Sequence, residues 1–228
     1  MTILENLTQV REEMRRACER SGRNVDEVTL IAVTKYVETA RIAEAVAAGV
    51  TEIGENRAQE FTEKLTFYEQ NHLRAHFIGQ LQTNKVKYIC GKADLIQSVD
   101  RESLLDAIAA YAQKHGVVQD ILIEVNIAGE IQKGGVALQD LDALAERIAG
   151  LSSVRLRGLM CVPPATDPEA VRPYFRTMRR RYEQLKTAYP ALPIDTLSMG
   201  MSHDYPVAIE EGATTVRVGT AIFGPRNY

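Results

Sequence analysis

One rhythm constrains this chain more than any other feature: a short run of β-branched and apolar residues, then an amphipathic stretch, eight times over. The runs are VTLIAVTK (28–35), TEIGEN (51–56), RAHFIG (74–79), DLIQSVD (94–100), QDILIEVNI (119–127), VRLRGLMCV (154–162), PIDTLSMG (193–200) and TTVRVGTAIFG (214–224). Strands separated by helices pair in parallel through right-handed crossovers, which leaves an open doubly wound sheet or a closed barrel. Eight units within 228 residues favour closure. An open dinucleotide-binding sheet would want G-x-G-x-x-G after its first strand, and TKYVET, with no glycine, stands there. The expected fold is therefore α/β, a single (β/α)8 TIM-type barrel spanning 1–228, with the charged amphipathic stretch MTILENLTQVREEMRRACER as an N-terminal helix.

Nothing in the composition breaks this unit. There is no Pro/Gly/Ser-rich linker or low-complexity tract, and Pro163-Pro164 falls in a barrel loop. With 27 Lys and Arg against 30 Asp and Glu, the formal charge of -3 offers no bulk attraction to nucleic acid or anionic lipid, so neither is an expected partner. The basic run RTMRRRYEQLK (176–186) reads as the solvated face of a long outer helix, with acids such as Glu183 as partners. No apolar run reaches 18 residues and the N-terminus lacks a signal-peptide pattern, so a soluble cytoplasmic protein is expected. Cys18, Cys90 and Cys161 are too scattered for a disulfide framework or thiolate zinc site. His72, His76, His115 and His203 show no metal-ligand spacing and read as surface or capping residues, so no metal is expected.

Barrels of this kind place their chemistry at the carboxyl ends of the strands, and often hold phosphate in the loops after strands 7 and 8. After strand 7, SMGMSHDY supplies Gly200, which lets backbone approach a ligand, and Ser202 as N-cap of the helix DYPVAIEEG. After strand 8, VGTAIFG supplies Gly219 and Thr220, the latter expected to cap a short helical turn. Each motif alone caps a helix; together, in adjacent loops, they suit a dianion. Lys35 ends strand 1, the neighbour of strand 8 on closure, so its amine can lie over the same mouth and attack the carbonyl of a phosphorylated aldehyde. Alternation in TTVRVGT turns Arg217 inward. A buried guanidinium there implies either an ion pair with an interior acid or a hydrogen bond to a ligand ring nitrogen. The loops LQTNK, with Gln82, Asn84 and Lys85, and GEIQKGG, with Lys133 and Gly134, read as solvated or capping, or else as places for a carboxylate or a lid.

The set AVTK, GENRAQE, HFIGQLQTNK, VNIAGEIQKGG, RGLMCV, LSMGMSHD and VRVGTAIFG, in that order, resembles the pyridoxal phosphate homeostasis family, also called the YggS or PROSC family. The resemblance implies a barrel like the N-terminal domain of alanine racemase (fold type III), pyridoxal 5'-phosphate (PLP) held as a lysine aldimine, and a role in vitamin B6 and amino/keto acid homeostasis without established turnover. Carried onto this sequence, it makes Lys35 the Schiff-base lysine and Arg217 the partner of the pyridine nitrogen. Met201, Ser202, Gly219 and Thr220 become phosphate or ring-edge contacts, Asn56 lies beside the ring, and Ser198 joins the phosphate site. Gln80 and His203 fall where the family is expected to vary. An arginine at the ring nitrogen keeps it unprotonated and weakens the cofactor as an electron sink. Two-base racemisation would need a second acid/base on the opposite face, with no further domain to supply it, so no catalytic residue is expected. Alternatives are a weak racemase-like PLP enzyme and a Schiff-base aldolase acting on a phosphorylated sugar. Apo-PLP enzymes or amino acids are the implied partners, and a monomer is expected.

Overall fold

The computed structural model describes residues 1–130 and 132–225. Ile131 of the GEIQKGG loop, and Arg226 to Tyr228 at the end of the expected 1–228 domain, lie outside the described residues. The first five strands are β1 (Thr29–Val33), β2 (Glu52–Glu55), β3 (Arg74–Phe77), β4 (Leu95–Val99) and β5 (Gln119–Asn126). A two-residue β6 (Val136–Ala137) pairs with the end of β5 and stands outside the barrel ring. The ring continues with β7 (Val154–Cys161), β8 (Thr196–Met201) and β9 (Thr215–Val218). All pairings are parallel; β1 joins β9 and β4 joins β5, so the eight anticipated strands close.

Alternation along each strand sorts side chains between two apolar compartments. Ile31 stands beside Arg217 and Ala32 beside Val218. Ala32, Val216 and Val218 join the large layer beneath the helices. On the axis, Leu95, Leu122 and Met160 form a small separate cluster with Val162 against it. Removing such side chains from water is the main favourable term in folding, at about 25 cal/mol per Å².

The outer layer comprises α1 (Ile3–Arg20), α2 (Thr39–Ala47), α3 (Ala58–Gln70), α4 (Val86–Ile89), α5 (Glu102–His115), α6 (Leu141–Ala149), α7 (Pro168–Ala188), α8 (Tyr205–Glu210) and α9 (Thr220–Phe223). In α1 a Thr2/Glu5 capping box satisfies the first-turn amides, and Ile3, Leu7, Val10, Met14 and Ala17 make one buried stripe. That stripe fastens the helix to the last unit, where Asn6 Nδ2 donates to the Ile222 carbonyl at 2.8 Å. The long α7 starts where Asp167 caps the Glu169 amide and Pro168 supplies a preset φ. After β3 the expected helix shrinks to a 3-10 turn (Thr83–Lys85) and the single turn of α4. The three cysteines are buried and unpaired. Among the described residues no helix is long and apolar enough to cross a membrane.

Candidate functional site

Lys35 follows the last residue of β1 by two positions, and the peptide groups on both sides of it are clamped. The Thr34 carbonyl accepts from Lys64 Nζ at 2.8 Å, and the Tyr36 amide donates to Glu60 Oε2 at 2.7 Å. Both clamps come from α3, one helical turn apart, so a single rigid element fixes the turn. Tyr36 takes φ 61, an uncommon region for a bulky residue, which persists because the surroundings enforce it. Behind the turn Glu55, fully buried, accepts from Thr34 Oγ1 (2.8 Å), Lys64 Nζ (2.7 Å) and Tyr68 OH (3.0 Å) through one carboxylate oxygen.

The turns after β8 and β9 differ from the expected caps. Ser202 does not cap α8; Asp204 is its N-cap residue, and the Asp204 carboxylate accepts the Met201 amide at 2.6 Å. The Ser202 hydroxyl oxygen reaches across to the other loop instead, accepting the amides of Gly219 and Ala221 at 3.1 and 3.3 Å. Gly219, not Thr220, is the N-cap residue of α9. Among the described residues the amides of Ser202 and Thr220 have no acceptor. Gly200 serves packing: it sits at φ +92, and a Cβ there would lie 2.6 Å from the Ala208 Cβ of α8. Burial pushes the Asp204 carboxyl up, against the pull of the Met201 amide and Arg217.

Arg217 projects inward as alternation requires and is buried. Its Nη1 donates to Ser198 Oγ at 2.6 Å and its Nη2 to the Cys161 carbonyl at 2.9 Å. Among the described residues no carboxylate forms an ion pair with it, so of the two partners that a buried guanidinium implies, the interior acid is not in contact. Desolvation lowers its pKa, while Cys161, Glu124 and Asp204 oppose that fall.

One cavity of ≈ 390 Å³ brings together Lys35, Asn56, Met201, Ser202, Arg217, Gly219 and Thr220, seven of the eight residues the sequence nominates. Ser198 is the exception: fully buried, it lies behind Arg217 instead of lining the cavity. Asn56 Oδ1 is buried with no hydrogen-bond partner. Gly79 presses against the Asn56 backbone so closely that a Cβ would sit 2.2 Å from its carbonyl oxygen. Exposed His203 lies on the rim, and Val33, Ile78 and Val162 supply apolar wall. Lys133 stays outside, donating to the Pro163 carbonyl at 3.1 Å, and Lys85 stacks near the Tyr88 ring, so neither loop lysine lines the cavity.

Sequence reasoning missed three interior polar residues. His76, expected at the surface, is only 3 % exposed, because its strand position turns it to the axis, where Glu52 and Gln97 hold it. Gln97 is fully buried on β4. Glu124 occupies the interior face of β5, where burial and then the charge of Asp100 raise its carboxyl to about 7 against the pull of Arg217. Polar residues in mid-strand within apolar runs, as in RAHFIG and DLIQSVD, were the available signal.

A closed parallel barrel with an amine at the end of its first strand, a buried guanidinium, and two joined turns after its last strands defines a lysine-bearing racemase-type barrel. The family described as the N-terminal domain of alanine racemase matches residues 6–227. A protein of Aquifex aeolicus called pyridoxal phosphate homeostasis protein is 49% identical over 230 residues, covering 100% of both chains. PipY of Synechococcus elongatus, solved with PLP bound, superposes with a TM-score of 0.84 at 32% identity, over 98% of this chain and 100% of that one. Alanine racemase from Streptomyces coelicolor matches in fold, with a TM-score of 0.69 at 20% identity over 98% of this chain and 59% of that one. The chain belongs to the pyridoxal phosphate homeostasis protein family.

Proposed function

We propose that this chain binds pyridoxal 5'-phosphate at the barrel mouth and serves PLP homeostasis as a carrier without catalytic turnover. The observation that carries this reading is the single cavity that gathers an amine, a guanidinium and two amides lacking acceptors, beside a buried Asn56 oxygen that still wants a donor. PLP, when bound, supplies an aldehyde, a pyridine ring and a phosphate dianion. Lys35 would hold the cofactor through its ε-amine, the nucleophile of the cavity. The amides of Ser202 and Thr220, with Met201 and Gly219 at the edge, would receive the phosphate. Arg217 would donate toward the ring nitrogen and Asn56 would border the ring. Ser198 would contribute by holding Arg217, to which its Oγ is bonded.

Support for a carrier comes from relatives named for homeostasis and not for a reaction. In this reading 1–228 is one PLP-binding domain, monomeric and cytoplasmic, that passes its cargo to apo-enzymes or to amino acids. The test is borohydride reduction of the PLP-loaded protein followed by intact mass and peptide mapping. One PLP per chain on Lys35, lost in Lys35→Ala, is expected; label on another lysine sinks the site. Multiple-turnover exchange of an amino acid α-proton for deuterium would sink the carrier.

A further inference from the structure

An unbroken line of polar side chains runs down the barrel axis from Arg217 to the opposite mouth. Arg217 Nη1 donates to Ser198 Oγ at 2.6 Å, and Ser198 Oγ donates to Gln97 Oε1 at 2.7 Å. Gln97 Nε2 meets His76 Nδ1 at 3.2 Å, and His76 Nε2 meets Glu52 Oε2 at 2.8 Å. Ser198 and Gln97 are fully buried and His76 nearly so, although barrel interiors are ordinarily packed with apolar side chains. Three polar groups in that space are costly unless each is satisfied.

Donor counting gives the line a single direction. A guanidinium only donates, so the Ser198 oxygen accepts from Arg217 and its one proton goes to the Gln97 carbonyl. The Gln97 amide nitrogen therefore faces His76 and must donate, which makes Nδ1 the acceptor and leaves the imidazole proton on Nε2, directed at Glu52. Glu52 can accept it as an anion. Arg74 donates to the other oxygen of the same carboxylate, Oε1, at 3.2 Å. Every bond thus points from the buried cation toward a carboxylate at the opposite mouth of the barrel, and aligned bonds in a low-dielectric interior polarise one another. This matters because Arg217 has no carboxylate in contact among the described residues.

We infer that Gln97 and His76 are positioning residues for Arg217: the one-way chain Ser198–Gln97–His76–Glu52 pins the guanidinium and leaves its remaining N–H groups to the cavity it lines. The inference rests on the PLP reading for what Arg217 meets there, but the chain itself is testable without cofactor. Two variants separate positioning from space-filling. Gln97→Met keeps the volume and severs the line on both sides. Gln97→Glu keeps the acceptor for Ser198 and presents a second acceptor to His76.

The experiment combines imidazole ¹⁵N spectra of the apo-protein with PLP titration of wild type and both variants. Wild-type His76 is expected as the Nε2–H tautomer, and Gln97→Glu should place a proton on Nδ1 while keeping PLP affinity within roughly threefold. Gln97→Met should weaken PLP roughly tenfold, the effect of about one buried hydrogen bond, and shift the visible band of the bound cofactor. A wild-type Nδ1–H tautomer overturns the inference, as does Gln97→Met binding PLP with unaltered affinity and band. If Gln97→Met fails to fold, the tautomer switch in Gln97→Glu decides. If wild type takes up no PLP, the functional reading fails and the tautomers alone judge the chain.

Discussion

The hydroxyl oxygen of Ser202 accepts the amide of Gly219 at 3.1 Å, which joins the turn after β8 to the turn after β9. The same oxygen takes the Ala221 amide, so one side chain holds the relative placement of both loops. Ser202→Ala leaves two amides without their acceptor, a loss of about 1–2 kcal/mol. Since the amides proposed to receive phosphate belong to these loops, PLP should bind roughly tenfold more weakly while borohydride still labels Lys35. Titration followed by peptide mapping reads both, and undiminished affinity would show that the joined turns do not grip the phosphate.

A second prediction concerns the support behind Lys35. Lys64 donates to Glu55, to Glu60 and to the Thr34 carbonyl, and Glu55 has no exposure. Lys64→Met strands a buried carboxylate, which should cost about 3–5 kcal/mol in urea unfolding. Adding Glu55→Gln removes that charge and should recover part of the loss. Purely additive losses in the double variant would contradict an ion pair at this position.

Two glycines allow backbone strain and steric overlap to be separated. Gly22 (φ +67) has nothing within 4 Å of its built Cβ, whereas Gly200 (φ +92) has Ala208 Cβ at 2.6 Å. Gly22→Ala should cost about 1 kcal/mol from strain alone, and Gly200→Ala about 2–4 kcal/mol because α8 must also shift. Equal losses in chemical denaturation would mean that α8 yields freely.

How much of this was legible in the sequence follows from which forces act locally. The eight units and Arg217's inward direction follow from alternation, a local property, and the long outer helix that carries RTMRRRYEQLK, α7, was readable from its sustained amphipathic period. The caps were misjudged because Ser202 satisfies amides 17 and 19 positions away, and no rule of neighbouring positions reports that. His76 was misjudged for the same reason: its partners Glu52 and Gln97 sit on the two strands flanking β3, 24 and 21 positions distant. Lys64 and Glu60 fall in the amphipathic stretch AQEFTEKLTFYEQ, and only the packing of α3 against the β1 turn turns them into clamps.

Glu124 sets the pH dependence expected of the cofactor-free protein. Its carboxyl titrates at about 7 in the fold, up from its ordinary value of 4.5, chiefly because burial disfavours the charge. Between those values the native state keeps a proton that the unfolded chain has released, so the native state binds more protons and stability falls as pH rises. The stabilisation is complete below the unfolded value and lost as pH climbs through about 7. Glu124→Gln abolishes this titration while keeping the shape, so its urea midpoint should change less than wild type's between about pH 5 and pH 8, and at the upper end it should exceed wild type by on the order of 2 kcal/mol. Parallel pH profiles for the two proteins would mean that Glu124 is ionised in the fold throughout, with its charge compensated by Arg217 across the barrel axis.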